Sequence, residues 1–143
     1  MRKEAFEVYG EPVGKGRPRF RMVNGHASVY TPKKTSVYER QIARAYQDQC
    51  GEPFDAGIPL KVLIYAYFVI PKTASRARRE MMLNGIEKPT KKPDCDNILK
   101  AVLDGLNGVA YRDDKQVVEA HIVKLYSNSN RASTYVFIAE ALE

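Results

Sequence analysis

Cysteine, histidine and tryptophan are scarce in this chain, which has two cysteines, two histidines and no tryptophan among its 143 residues. Cys50 and Cys95 lie far apart and form no Cys-x-x-Cys pair, so the sequence gives no support for a structural zinc site and little for a disulfide. The single histidines, His26 and His121, are expected to be structural rather than catalytic. None of these residues is therefore a candidate for the reactive centre.

Long apolar runs are also lacking. The longest, residues 62–70, has the length of a buried strand and is far shorter than the ~20 residues that span a bilayer. The N-terminal residues MRKEAFEVYGEP contain no apolar segment of the kind found in a signal peptide. We therefore expect a cytoplasmic protein with no membrane partner.

Acidic residues are outnumbered by basic ones, 17 against 23, which gives a net charge of +6 and a pI near 9.3. Such a balance favours a polyanionic partner, although a merely soluble basic surface is the alternative. Two basic segments stand out, and we predict that they contact DNA phosphates. Their candidate residues are Lys15, Arg17, Arg19, Lys33 and Lys34 in the first, and Arg76, Arg79, Lys91 and Lys92 in the second.

Two acidic pairs follow the second basic segment. Asp94 and Asp96 stand at the start of a predicted helix that extends to about residue 107, and Asp113 and Asp114 follow the turn after it. Three or four carboxylates brought to one point would suit Mg²⁺, which prefers oxygen ligands. Lys100 lies one helical turn further on, where it could neutralise charge developing on a phosphate.

A plainer interpretation of the same residues is that they serve folding alone. Asp94 and Asp96 would then cap the helix, and Asp113 and Asp114 would form a solvated turn. Asp104, four residues after Lys100, is expected to orient that lysine through an ion pair rather than to bind metal. Cys95, between the first two aspartates, is expected to point away from the metal and pack.

The order of these residues resembles a known pattern, P-D-x-D-N-x-x-K-A-x-x-D-x-L followed by D-D-x-Q-V, that of RusA-type Holliday junction resolvases. The resemblance is clear over residues 92–124. The segments Gly-Lys-Gly-Arg-Pro-Arg-Phe at 14–20, Thr31-Pro32-Lys33 and Tyr38-Glu39 are similar to the branch of this family found in Gram-positive bacteria and their prophages. The matching residues of the main pattern are Pro93, Asp94, Asp96, Asn97, Lys100, Ala101, Asp104, Leu106, Asp113, Asp114, Gln116 and Val117.

The resemblance implies a homodimeric endodeoxyribonuclease that depends on Mg²⁺, with Mn²⁺ as an alternative. It would nick four-way junction DNA in a symmetric pair of strands, in recombination and repair. By motif position, Asp94, Asp96 and Asp114 are implied as metal ligands, with Asp113 as the alternative to Asp114. Lys100 is implied as a catalytic residue.

The expected fold is a single α+β domain over residues 1–143, a small mixed β-sheet with α-helices packed against it. Residues 60–70 should form the central strand, because they are apolar and rich in β-branched and aromatic side chains. Helices are predicted over 36–49, opened by a Ser36–Glu39 capping box, and over 73–84. Asn24-Gly25 predicts a hairpin over residues 20–30, and strands 117–125 and 133–139 are expected to form a second hairpin that closes the sheet.

Two other functions fit parts of the sequence. A non-catalytic protein that binds or bends junction DNA would need the basic segments but not the carboxylates as ligands. A metal-dependent phosphohydrolase acting on nucleotides would need a closed pocket around a base and few basic residues outside it.

Overall fold

The computed structural model describes residues 1–142. Within them, six strands, three α-helices and one 3₁₀ turn follow one another along the chain. The strands are β1 (Lys3–Tyr9), β2 (Arg19–Val23), β3 (His26–Tyr30), β4 (Leu60–Phe68), β5 (Val117–Tyr126) and β6 (Ser133–Glu140). The helices are α1 (Lys33–Gln49), α2 (Arg76–Leu83) and α3 (Cys95–Leu106), and the 3₁₀ turn is Asp114–Gln116.

Four strands form a mixed sheet in the order β1-β6-β4-β5, and β2 and β3 form a separate two-stranded hairpin. The expected α+β class, the central position of β4 and the Asn-Gly hairpin are confirmed. The prediction of a second hairpin is wrong, because β4 lies between β5 and β6, parallel to the first and antiparallel to the second. The most apolar strand, β4, takes one of the two interior positions, and the polar connection 127–132 crosses it between β5 and β6.

One face of the sheet is covered by α1 and α3. Alternate residues of β4 point into this core, because successive side chains of a strand face opposite sides. The helices contribute apolar residues at spacings of three and four. The buried residues are Leu60, Val62, Ile64, Ala66 and Phe68 of β4, Tyr38, Ile42 and Tyr46 of α1, and Ile98, Ala101, Val102 and Leu106 of α3.

The two helices approach each other closely at Gly105. A Cβ atom at this position would lie 3.0 Å from the Glu39 carbonyl oxygen and 3.0 Å from the Ile42 Cβ. Glycine therefore allows the backbone of α3 to pack directly on α1. This contact fixes the helix that carries Asp94 and Asp96 against the rest of the molecule.

The helix starts differ from the predicted ones. α1 begins at Lys33 rather than Ser36, because the Pro32 carbonyl already accepts a bond from the Ser36 backbone N–H. The predicted capping box is therefore wrong, and the Ser36 hydroxyl donates to the Pro32 carbonyl instead. α2 begins at Arg76, since the Ser75 side chain accepts from the Arg78 N–H and so caps the helix.

The other face of the sheet is covered by no helix of the described chain except at its rim, where the end of α2 lies. Register places Tyr65 beside Val123 on one side and Tyr135 on the other, and Leu63 beside Phe137. The residues that line the open groove on this face include only two charged side chains, Glu7 and Arg131. The groove is thus lined mainly by aromatic and uncharged polar residues, while register places the charged residues Lys3, Lys61 and Glu119 at the opposite end of the same face.

Candidate metal and nucleic-acid site

The first acidic pair stands at the start of α3, as predicted. Asp94 is the N-cap residue, yet its side chain makes no capping bond, and Asp96 lies in the first turn. Both carboxylates are exposed. The Asp94 carbonyl, not its side chain, accepts from the Ile98 N–H at 3.0 Å. Cys95 between them is also exposed, so the expectation that it packs is wrong. The two carboxylates are therefore left available to an external ligand.

Lys100 is held by the ion pair predicted for it. Its ammonium lies 3.2 Å from one oxygen of Asp104, while the other oxygen of Asp104 lies 3.1 Å from the ammonium of Lys15. Lys15 also bonds Glu39 of α1 at 2.9 Å. Asp104 is thus shared between two lysines, and Lys100, the more exposed of the two, keeps its head accessible to solvent.

The segment 13–16 ties α1 to the start of α3. The Lys15 N–H donates to the Asn97 carbonyl at 2.8 Å, and the Gly16 N–H donates to the Thr35 hydroxyl at 2.9 Å. A Cβ on Gly14 would lie 2.8 Å from the Pro93 Cβ, so only glycine fits between this segment and α3. Gly14 and Gly16 thus allow this segment to pack closely on the start of α3 and on the start of α1.

The ionisation of Lys15 reflects this packing. Burial opposes the charged form, but the hydrogen bonds and charges of Glu39 and Asp104 outweigh it and raise the pKa of Lys15 above its ordinary value of 10.5. The lysine is therefore a permanent cation at neutral pH. Its charge is already matched by two carboxylates, so it orders the site from within.

The two carboxylates of the second acidic pair have different environments at the start of the 3₁₀ turn. The Asp113 carboxylate caps the turn by accepting from the Lys115 N–H at 3.0 Å, and this bond is the main cause of its lowered pKa. Asp114 is the first residue of the turn. Since Asp113 is engaged by the backbone, Asp114 is the member of the pair better placed to bind a ligand.

Gln116 fixes the position of this turn. Its side-chain oxygen accepts from the N–H groups of Arg112 and Asp113, at 3.1 and 3.3 Å. Its side-chain nitrogen donates to the carbonyls of Asp55 and Ile58, at 3.0 and 3.1 Å. The buried amide thus joins the loop before β4 to the loop that carries Asp114.

The structure does not bring the acidic residues into a finished metal cage. Among residues 1–142, no group of three or more His, Cys, Asp or Glu side chains lies close enough to hold an ion. The 3₁₀ turn nevertheless contacts α3. Tyr111, buried between them, has its pKa raised first by burial and then by the charges of Asp114 and Asp104. The donor set, two exposed carboxylates at the start of α3 and the partly exposed carboxylate of Asp114, suits a hard cation that keeps waters and binds phosphate.

The predicted DNA-binding residues occupy different environments. Arg17, Arg19, Lys33, Lys34, Arg76 and Lys92 are exposed. Lys91 lies over the Phe68 ring, 5.4 Å from its centre, and Arg79 donates to the Pro71 carbonyl at 3.3 Å. Lys15 differs from the others, because its ammonium faces Glu39 and Asp104 rather than solvent.

A model of the family described as endodeoxyribonuclease RusA matches residues 9–138. This chain belongs to the RusA endodeoxyribonuclease family. It is also 35% identical, over 133 residues, to the uncharacterized protein YqaN of Bacillus subtilis (strain 168), a match that covers 92% of this chain and 93% of that protein. Membership in this family places the chain among the nucleases that act on junction DNA. In the described residues, no helix has the length and apolar character needed to cross a membrane.

Sequence reasoning missed the residues that hold this site together. Gln116 belonged to the family pattern, but nothing nearby in sequence indicated that its amide would bond two loops. Glu39 was assigned only to the start of the helix predicted over 36–49, and Thr35 to no element, although both bind the segment 13–16. Their partners lie 19 to 24 residues away in sequence, so periodicity gave no signal.

Proposed function

We propose that this RusA-family chain is a Mg²⁺-dependent endonuclease that resolves Holliday junctions by paired symmetric nicks during DNA recombination and repair. Mn²⁺ would be an alternative cation. The observation that carries the proposal is the pair of exposed carboxylates of Asp94 and Asp96 at the start of α3, where the Asp94 side chain makes no capping bond. They stand beside the Asp114 turn in a chain whose family match spans residues 9–138.

Asp94, Asp96 and Asp114 would hold the cation. When bound, it would polarise a phosphodiester oxygen and lower the pKa of an attached water. We place Asp113 outside the primary set because one oxygen of its carboxylate already caps the 3₁₀ turn. The three carboxylates repel a DNA backbone until a cation neutralises them, so metal and substrate binding should be coupled.

Lys100 would place a positive charge against the scissile phosphate. Its side chain is anchored at Asp104 but remains more than half exposed, so the ammonium can reach a phosphate oxygen. Lys15 holds the other oxygen of Asp104. We therefore assign Lys100 as a catalytic residue and Lys15 as a positioning residue rather than a DNA contact.

The remaining cations would guide the DNA to the carboxylates. Lys33 and Lys34 occupy the first turn of α1, where the helix dipole is already positive and where acidic residues are usually preferred. The local repulsion of such an arrangement is relieved when a polyanion binds. Arg17, Arg19, Arg76, Arg79, Lys91 and Lys92 complete the proposed DNA-binding set.

Two symmetric cuts need two sites, so we propose a homodimer. The aromatic open face of the sheet is the surface that we assign to the interface. Each chain carries a net charge of +6, and in the groove on this face the charges of Glu7 and Arg131 cancel, so two copies repel little there. Tyr135→Glu would place a charge from each copy near the two-fold axis and is expected to give monomers in light scattering. A dimer that survives this change would contradict the assignment.

Cleavage of labelled DNA tests the proposed activity. A synthetic four-way junction with a different label on each strand is incubated with the protein in Mg²⁺ or in EDTA, beside a linear duplex of the same sequence. Nicks in one symmetric pair of strands, present only with the cation and only in the junction, are expected. Binding without cleavage in every metal would favour a non-catalytic junction-binding protein. Nicking of both substrates alike would refute structural selectivity.

A further inference from the structure

The β2–β3 hairpin is exposed along its whole length. Every residue of β2 is exposed, and in β3 only Ser28 and Tyr30 are partly covered. The exposed residues include large apolar side chains. Phe20 is 75% exposed, Met22 70% and Val29 58%. Burial of such side chains usually stabilises a fold, so their exposure on an element with no core of its own indicates an external partner.

The hairpin has two chemically different faces. Register pairs Phe20 with Val29 and Met22 with Ala27, and paired residues of an antiparallel ribbon lie on the same side. This face is therefore apolar. The opposite face holds Arg19 and Arg21, with the Arg21 guanidinium 5.0 Å from the centre of the Tyr30 ring.

The charge around the hairpin indicates which kind of partner it meets. Residues 12–38 contain no aspartate or glutamate and six basic residues, namely Lys15, Arg17, Arg19, Arg21, Lys33 and Lys34. Pairing of two such hairpins between copies of the chain would bring the same positive charges together. A nucleic acid offers both of the required surfaces, because its phosphates match the arginine face and its bases match the apolar face.

The hairpin is attached directly beside the acidic site. Its first strand begins three residues after Gly16, which is fixed to Thr35, and Lys15 is bonded to Asn97 in the first turn of α3. A DNA held at Asp94 and Asp96 therefore passes close to the base of the hairpin. A lipid surface would also attract basic and apolar residues, but it would not explain this attachment.

We propose that the apolar face of the hairpin packs against bases that are unstacked at the branch point of the junction. Phe20, its largest and most exposed side chain, would make the main contact. The proposal rests on the proposed function. Apolar side chains are known to enter base steps and separate them, and aromatic rings stack on exposed bases of any sequence. The arginine face would hold the neighbouring phosphates, so the hairpin would select branched over linear DNA.

The test uses the full chain with Asp96→Asn, which is expected to bind without cutting, and a four-way junction that carries 2-aminopurine beside the branch point. Its fluorescence should rise on binding, because the probe leaves the base stack. Adding Phe20→Ala should abolish this rise and weaken junction binding on the order of tenfold, within the range for loss of one base–aromatic stack. Binding to linear duplex should change less than about twofold, since no base is unstacked there.

Two valines of the same hairpin provide a matched control. Val29→Ala truncates the apolar face and should reduce the fluorescence rise, whereas Val23→Ala truncates the opposite face and should leave it unchanged. The hairpin contributes no residue to the buried core, so all three variants should melt at the parent temperature. Equal effects of Val23→Ala and Val29→Ala would overturn the proposal.

Three further results would overturn it. Equal loss of junction and duplex binding by Phe20→Ala would indicate a general contact. Dissociation of a dimer by Phe20→Ala would assign the face to protein association. Loss of binding to phosphatidylglycerol vesicles with unchanged junction binding would assign it to a membrane. The proposed function fails separately, if the chain without Asp96→Asn never cleaves while the fluorescence rise persists.

Discussion

Replacement of Lys15 by methionine tests the ionic network beneath the site. The change keeps most of the apolar length of the side chain but removes the ammonium that lies 2.9 Å from Glu39 and 3.1 Å from Asp104. Glu39 then loses its recorded partner, and Asp104 keeps only Lys100. Two partly buried carboxylates are left facing each other across the space that the ammonium occupied.

The cost follows from how far these groups are buried. The three side chains are 21%, 20% and 19% exposed. Exposed ion pairs contribute about 0–1 kcal/mol, whereas removal of one partner from a fully buried pair costs about 3–5 kcal/mol. We therefore expect the free energy of unfolding to fall by about 2 kcal/mol, which for a domain of this size lowers the melting temperature by about 6 °C.

Urea unfolding of the wild type, Lys15→Met and Lys61→Met measures this loss. Lys61 is an exposed lysine of β4 with no recorded ion pair in residues 1–142, so its replacement controls for loss of one charge. Adding Glu39→Gln to Lys15→Met should recover part of the stability, because one of the two unpaired carboxylates is removed. Equal stability of Lys15→Met and Lys61→Met would refute the network.

The comparison of wild type with Lys15→Met also predicts how stability depends on pH. The raised pKa of Lys15 means that the folded state holds this proton more tightly than the unfolded state. The extra stability is fully present below pH 10.5 and is lost as the pH rises through the folded pKa. The stability difference between wild type and Lys15→Met should therefore shrink above pH 10.5, and a difference that grows there would contradict the sign.

Three other replacements test the packing and the ligand assignment. Gln116→Leu removes four hydrogen bonds and leaves only the Asp55 carbonyl with another recorded donor, the Ile58 N–H, so unfolding free energy should fall by about 2–3 kcal/mol and metal affinity should fall with it. Gly105→Ala should destabilise the chain by about 1–3 kcal/mol in denaturant titration, because its methyl group would overlap α1. Asp114→Asn should weaken Mn²⁺ binding on the order of tenfold more than Asp113→Asn, as measured by electron paramagnetic resonance. The reason is that one carboxylate oxygen of Asp113 already accepts from the Lys115 backbone N–H.

Local sequence patterns were sufficient for the elements that carry the site. The apolar run that becomes β4 and the spacing of Ile98, Val102 and Leu106 on α3 both follow from periodicity, which depends on neighbours in the chain. The order of strands could not be obtained in this way. Whether β6 pairs with β5 or with β4 depends on which strand is most deeply buried, and that is decided by the whole sheet.

The candidate site shows the same division. The placement of Asp94, Asp96 and Lys100 at the start of one helix was predicted from their spacing. The reason why Gly14 is required lies in its contact with Pro93, 79 residues away, which no local pattern could indicate. Likewise, the preference for Asp114 over Asp113 rests on a bond from the Lys115 N–H to Asp113, in a turn that the Gln116 side chain also caps.

The most direct test of the central claim compares Asp96→Asn with Asp48→Asn in binding and in cleavage of the four-way junction. Asp48 is an exposed carboxylate on α1 that is paired only loosely with Arg44. Asp48→Asn alters the net charge by the same amount as Asp96→Asn and therefore controls for loss of one negative charge. We predict that Asp96→Asn abolishes Mg²⁺-dependent nicking while junction affinity is kept or increased, and that Asp48→Asn cuts like the wild type. Undiminished nicking by Asp96→Asn would contradict the assignment of a metal-dependent nuclease site to these carboxylates.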